Sequence, residues 1–84
     1  MGIPMKSTYP LLQKQFGKKL LALRKQCGRT QKDTAQILRV SVSTYAKWEH
    51  GKSMPSSPFW LPISKLYGIS LRELFACIDE DIVS

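Results

Sequence analysis

Histidine and cysteine are nearly absent: the chain has His50, Cys27 and Cys77 and no others. A zinc-type site needs three or four ligands at short spacings, and a His-based relay needs a nucleophile and an orienting partner. Neither set can be assembled, so no catalytic residue, metal ligand or cofactor is assigned. The two cysteines lie in helix-like surroundings and read as small apolar packing residues of a reducing compartment. No apolar run approaches the ~20 residues that span a bilayer. "MGIPMK" lacks an apolar core and a cleavage site, and Lys6 stands where a myristoylation signal needs Ser or Thr. No stretch alternates with period two, and no Asn-Gly or Asp-Gly hairpin turn occurs. A sheet protein is excluded.

Acidic residues are scarce as well, 6 against 13 lysines and arginines, for a formal charge of +7. They are also unevenly placed. Up to Arg72 the acids are Asp33 and Glu49, while every basic residue lies in that span. From Glu73 to Ser84 the charged residues are all acidic. Such a basic excess suits a polyanionic partner. The 84 residues make one small domain, of a size that buries roughly 60% of its unfolded surface. Nothing is left over for a separate catalytic or ligand-binding domain.

What remains is helical punctuation. Thr8 can cap a helix whose first turn tolerates Pro10, because no intrahelical partner awaits the missing N–H there. Phe16, Leu20, Leu23 and Cys27 then form an apolar stripe, with Lys14, Lys18, Lys19 and Lys25 largely off it. Gly28 ends this helix. Thr30 opens a second helix through Ala35 and Leu38, with Asp33 completing a near capping box. Ser41 caps a third, about Val42 to His50, and Gly51 ends it. A fourth helix stops at Gly68; it starts either at Pro58 behind a Ser57 cap or nearer Trp60 or Leu61. "SLRE", Ser70 to Glu73, is a full capping box opening a fifth through Phe75 and Ile78. The expected fold is all-α, a five-helix bundle over residues 9–78, with a flexible arm at 1–8 and an acidic tail at 79–84.

The stretch "TQKDTAQILRVSVSTYAKWEHGK" followed by "ISKLYGISLREL" resembles the helix-turn-helix domain of Cro and the phage repressors, the XRE family. The resemblance covers roughly Phe16 to Phe75. Its pieces are Thr30-Gln31 opening helix two, Ala35 in its middle, the three-residue turn Arg39-Val40-Ser41, then Trp48, Glu49 and Gly51. Tyr67, Gly68, Ile69 and Ser70 close the pattern. It implies a lambda-repressor-like, cytoplasmic DNA-binding regulator of bacterial or phage origin, with the helix-turn-helix at 31–50. Two positions depart from the family. Arg39 stands where the turn usually has glycine, and Thr34 where helix two usually has leucine.

Geometry supports the same division of labour. At ~100° per residue, Val42, Tyr45, Trp48 and Glu49 fall on one side of helix three, and Ser43, Lys47 and His50 on the other. Thr44 and Ala46 flank the two faces. Base contacts are expected from Val42, Ser43, Thr44 and Lys47. By the resemblance, Gln31 and Lys52 hold phosphates; Thr30 and Arg39 are further phosphate candidates. An inward Glu49 needs a cation, because an unpaired buried carboxylate is costly, and the resemblance supplies Arg24. Partners expected are double-stranded DNA and a second copy of the chain. Trp60, Leu71, Leu74, Phe75 and Ile78 either form that dimer contact or close the core. A repressor is the favoured reading. An antitoxin that also binds a toxin, a contact with the transcription machinery, and a non-specific nucleic-acid or RNA adaptor stay open.

Overall fold

The computed structural model describes residues 5–76, and side chains from residue 11 onward. Within them the chain is all-α, with helices α1 (Met5–Cys27), α2 (Gln31–Leu38), α3 (Val42–Glu49) and α4 (Trp60–Tyr67), then α5 at 71–76. A short 3-10 turn, Ser57–Phe59, leads into α4. No helix among the described residues is long and apolar enough to cross a membrane.

Local chemistry explains most boundaries. The Thr30 and Ser41 hydroxyls accept the backbone N–H groups of Asp33 and Thr44, both at 3.0 Å. Ser70 does the same for Glu73 at 3.0 Å. Each satisfies one of the donors that a helix start leaves without an intrahelical partner. Left-handed glycines at 28 and 68 follow α1 and α4. Two expectations need correction. Helix α1 begins at Met5, so Thr8 does not cap it, residues 5–8 are not an arm, and Pro10 falls beyond the first turn. Proline's fixed φ is a helical value, so the helix propagates through it although the Lys6 carbonyl loses its usual donor. Of the starts left open for α4, the later one holds: Ser57 only opens the 3-10 turn, and α4 starts at Trp60, which puts Pro62 third, where a missing N–H forfeits no bond. Cys27 is exposed, because a stripe fixes the direction of a side chain and not whether an element lies across from it. Residues 1–4, Cys77, Ile78 and the acidic tail at 79–84 lie outside the described residues.

The core joins Phe16, Leu20 and Leu23 of α1 to Ala35 and Leu38 of α2, Tyr45 and Trp48 of α3, Ile63 and Tyr67 of α4, and Leu74 of α5. Aromatic rings knit its far side: Phe75 stacks on Phe16 at 5.4 Å and meets Trp60 edge-on at 5.2 Å. Helix α1 crosses the end of α3 at close range. A Cβ added at Gly17 would lie 2.5 Å from the Glu49 carbonyl oxygen and 2.6 Å from that of Trp48. Only glycine lets the two backbones approach this far.

This gives an unusual sign for a helix substitution. Gly→Ala inside a helix ordinarily stabilises by about 1 kcal/mol. Gly17→Ala instead forces backbone against backbone and should destabilise by about 2–3 kcal/mol, lowering Tm by ~10 °C or more. Thermal melting followed by circular dichroism measures it, and a Tm at or above wild type would mean that the α1–α3 crossing is not this close.

Candidate nucleic-acid interface

Helices α2 and α3 are separated by Arg39, Val40 and Ser41, which fixes their relative direction. Arg39 takes the left-handed conformation, φ 61° and ψ 43°. The reversal is closed by Arg39 N–H donating to the Gln36 carbonyl at 3.1 Å and Val40 N–H to the Ala35 carbonyl at 3.0 Å. A non-glycine residue pays roughly 1–2 kcal/mol for this conformation, and Arg39 is exposed.

Facing inward, α3 buries Tyr45, Trp48 and Glu49. Outward, Ser43, Lys47 and His50 are exposed, with Thr44 and Ala46 half-buried between the faces. Val42 is the exception to the expected inner face, at 42% exposure. It is the first residue of α3 and is accessible together with Ser43. Thr44 is less free than expected: its N–H and its hydroxyl both engage Ser41 Oγ, at 3.0 and 2.9 Å. Lys52 is exposed on the loop after α3, and Thr30 is exposed at the start of α2.

Arg24 and Glu49 are brought together. Arg24 Nε donates to Glu49 Oε2 at 2.6 Å and Nη2 to Oε1 at 3.1 Å, a two-pronged pair. The Glu49 side chain is 1% exposed and that of Arg24 14%. Arg24 Nη1 also donates to the Arg29 carbonyl at 2.9 Å, tying the pair to the α1–α2 loop. Burial pushes the Glu49 carboxyl up, but hydrogen bonds from Arg24, Gln31 and Tyr45 together outweigh it and hold the group below the usual carboxylate range. The hydrogen bond to Glu49 likewise raises Arg24.

Gln31, Tyr45, Tyr67 and Thr34 take part in or beside this site in ways not expected from the sequence. Gln31, expected on phosphate, is half-buried and donates from Nε2 to Glu49 Oε1 at 3.0 Å. One of its two amide hydrogens is therefore committed inward, leaving the other for the surface. The Tyr45 and Tyr67 hydroxyls share a buried hydrogen bond of 2.9 Å. Burial, then the mutual hydrogen bond, pushes the Tyr45 phenol far up, and burial raises Tyr67. Here a signal did exist: an inward Tyr on α3 must find a hydroxyl partner. Thr34 is fully buried, its hydroxyl donating to the Thr30 carbonyl at 3.0 Å. Of the expected dimer residues, Leu74 is fully buried within the chain and is not available to a second copy. Leu71 is 38% exposed, Trp60 and Phe75 are half-buried against each other.

A family model described as Helix-turn-helix matches residues 20–74. The HTH-type transcriptional activator BcrR of Enterococcus faecalis is 36% identical over 62 residues, which is 74% of this chain and 30% of BcrR. The chain thus spans less than a third of that relative's length. No solved structure matches.

Two outcomes follow from the geometry. Arg24→Met should cost about 3 kcal/mol at pH 7, because it strands a buried carboxylate. A depressed folded-state value means that Glu49 contributes stability above its unfolded range near ~4.3 and loses it as pH falls through the folded value. The Arg24→Met penalty should therefore shrink towards pH 4, where Glu49 in the mutant binds a proton. Urea denaturation at the two pH values decides; an equal penalty at both would assign Arg24 a packing role without pairing. Arg39→Gly should relieve the left-handed strain and raise stability by up to ~1 kcal/mol, while weakening duplex binding slightly. A lower Tm would show that the Arg39 side chain makes a contact worth more than the strain.

Proposed function

We propose, from the premise that the chain belongs to the XRE-type helix-turn-helix family of DNA-binding transcription regulators, that it reads a two-fold symmetric operator as a homodimer and represses transcription there. Helix α3 enters the major groove, and the observation that carries this is its outer face. Val42, Ser43 and Lys47 are open to solvent there without an acidic residue among them, while the one carboxylate of α3 is turned inward onto Arg24. A face meant for water would ordinarily mix both signs; one without acids meets a polyanion without repulsion. Lys47 has the reach and the donors for guanine O6 or N7, Ser43 for a shorter contact, and the Val42 side chain for a thymine methyl. Arg39 and Lys52 flank the helix as phosphate contacts, and Gln31 joins them through its remaining amide hydrogen. Two-fold pairing would use the accessible part of the α4–α5 surface, Leu71 with the edges of Trp60 and Phe75.

Activation is the second reading, favoured by the activator role of the Enterococcus faecalis relative. The two differ in where the operator lies relative to the polymerase site and share every contact proposed for α3.

Positioning and reading separate experimentally. Lys47→Ala should cost ~1–3 kcal/mol on the preferred site and relax the preference at one base position per half-site. Lys52→Ala should weaken preferred and scrambled duplexes alike and lower the salt slope by about one unit per subunit. Binding titrations at several salt concentrations give both readings. If Lys47→Ala lost affinity equally on both duplexes, α3 would not be reading bases through Lys47.

A further inference from the structure

Helix α1 carries a second set of lysines whose role the α3 surface does not explain. Lys14, Lys18 and Lys25 are exposed and fall within about 40° of one another around the helix, opposite the Phe16–Leu20–Leu23 stripe. One of them is placed differently from the rest. A Cβ at Gly51 would lie 2.9 Å from Lys14 Cα and 3.1 Å from Lys14 Cγ, so the α1 backbone at Lys14 rests directly against the left-handed glycine two residues past α3. Gly51 has φ +74° and no side chain, and both features are needed for this contact. Lys52 follows one peptide later, ~3.8 Å between consecutive Cα atoms. Two exposed ammonium groups therefore leave adjoining backbone segments at the end of α3. The nearest acid along the chain, Glu49, is turned away from them and bound to Arg24.

We propose that Lys14 and Lys52 form one phosphate-binding site, built jointly by α1 and the loop after α3, that grips the nucleic-acid backbone beside the bases α3 faces. The inference deepens the proposed function and rests on it for the placement of α3. Like charges on adjoining segments repel each other when their ammonium groups approach, and a phosphate backbone relieves that repulsion while releasing its own condensed counterions. Lysine is a flexible point charge without directional readout, so the pair contributes affinity and register and no base preference. The site is anchored by the same α1–α3 crossing that the Gly17 contact and the Arg24–Glu49 pair define. Its two halves keep their spacing for that reason.

The test uses Lys14→Gln, which keeps the stem that packs near Gly51, with Lys25→Gln as a charge-matched control eleven residues further on, ~16 Å along the helix. Each is titrated on a preferred and a scrambled duplex over a range of salt. Lys14→Gln should lower the slope of log affinity against log salt by ~0.9 per subunit on both duplexes, and with Lys52→Gln by ~1.8, while Lys25→Gln leaves the slope within error of wild type. An unchanged slope in Lys14→Gln, or an equal drop in Lys25→Gln, overturns the shared site, since the charge would then act through the net field or not at all. If wild type binds both duplexes equally while the two slope changes appear, base reading by α3 is lost and the phosphate site stands.

Discussion

A carboxylate at the end of α3 is, by itself, the least favourable charge the fold could bury. Glu49 is the last residue of the helix, where the carbonyl ends already present partial negative charge, and its side chain is shut off from water. Arg24 reverses the balance, and that requirement organises the neighbourhood. Helix α1 contributes the guanidinium, α2 the Gln31 amide, and α3 the carboxylate itself. The backbones of α1 and α3 must come close enough for the two-pronged geometry, which the bare Cα of Gly17 allows. Replacing such a pair by well-packed apolar side chains is often neutral or stabilising, so its contribution lies chiefly in direction. Apolar burial holds α3 against the core; the pair fixes how far α3 is rotated about its own axis, and with it which side chains face outward.

Features that depend on a few neighbouring residues were legible in the sequence. The caps at Thr30, Ser41 and Ser70 and the stops at Gly28 and Gly68 each rest on one hydroxyl or one backbone conformation. The inward direction of Tyr45, Trp48 and Glu49 follows from helical spacing, the need for a cation from electrostatics, and the choice of Arg24 from the family resemblance. Features that depend on what lies across from a residue were not legible. Leu74 and Leu71 share a short helix and similar chemistry, yet one is fully buried and the other 38% exposed. Cys27 continues a buried stripe and ends in solvent. Gln31 has the same hydrogen-bonding groups whether it meets a phosphate or Glu49, and nothing local distinguishes the two.

The substitution of Thr34 for the usual leucine makes sense only with its surroundings. A hydroxyl buried among apolar side chains costs free energy unless it is bonded. Here it donates its one hydrogen to the Thr30 carbonyl, inside its own helix turn. Tyr67 and Tyr45 satisfy each other in the same way, hydroxyl to hydroxyl, and so join α4 to α3. Beside them the Glu49 carboxylate is held by Arg24 and Gln31.

Satisfied buried polar contacts change what kind of error the fold tolerates. Hydrophobic contacts are nondirectional, so a helix held by them alone can rotate by several degrees with little cost. Hydrogen bonds weaken steeply as their angles open, and in a low-dielectric interior each broken one leaves a costly unpaired group. A rotation of α3 would strain the Glu49 contacts to Arg24 and Gln31 and the Tyr45 contact to Tyr67 together. The outward consequence concerns Lys47, one residue before Trp48 and two before Glu49, whose direction is set by the same backbone. Arg39 spends roughly 1–2 kcal/mol on a left-handed turn that aims α3 away from α2. The strain gives α3 its tilt and these polar contacts give it its rotation, and the exposed face of α3 requires both.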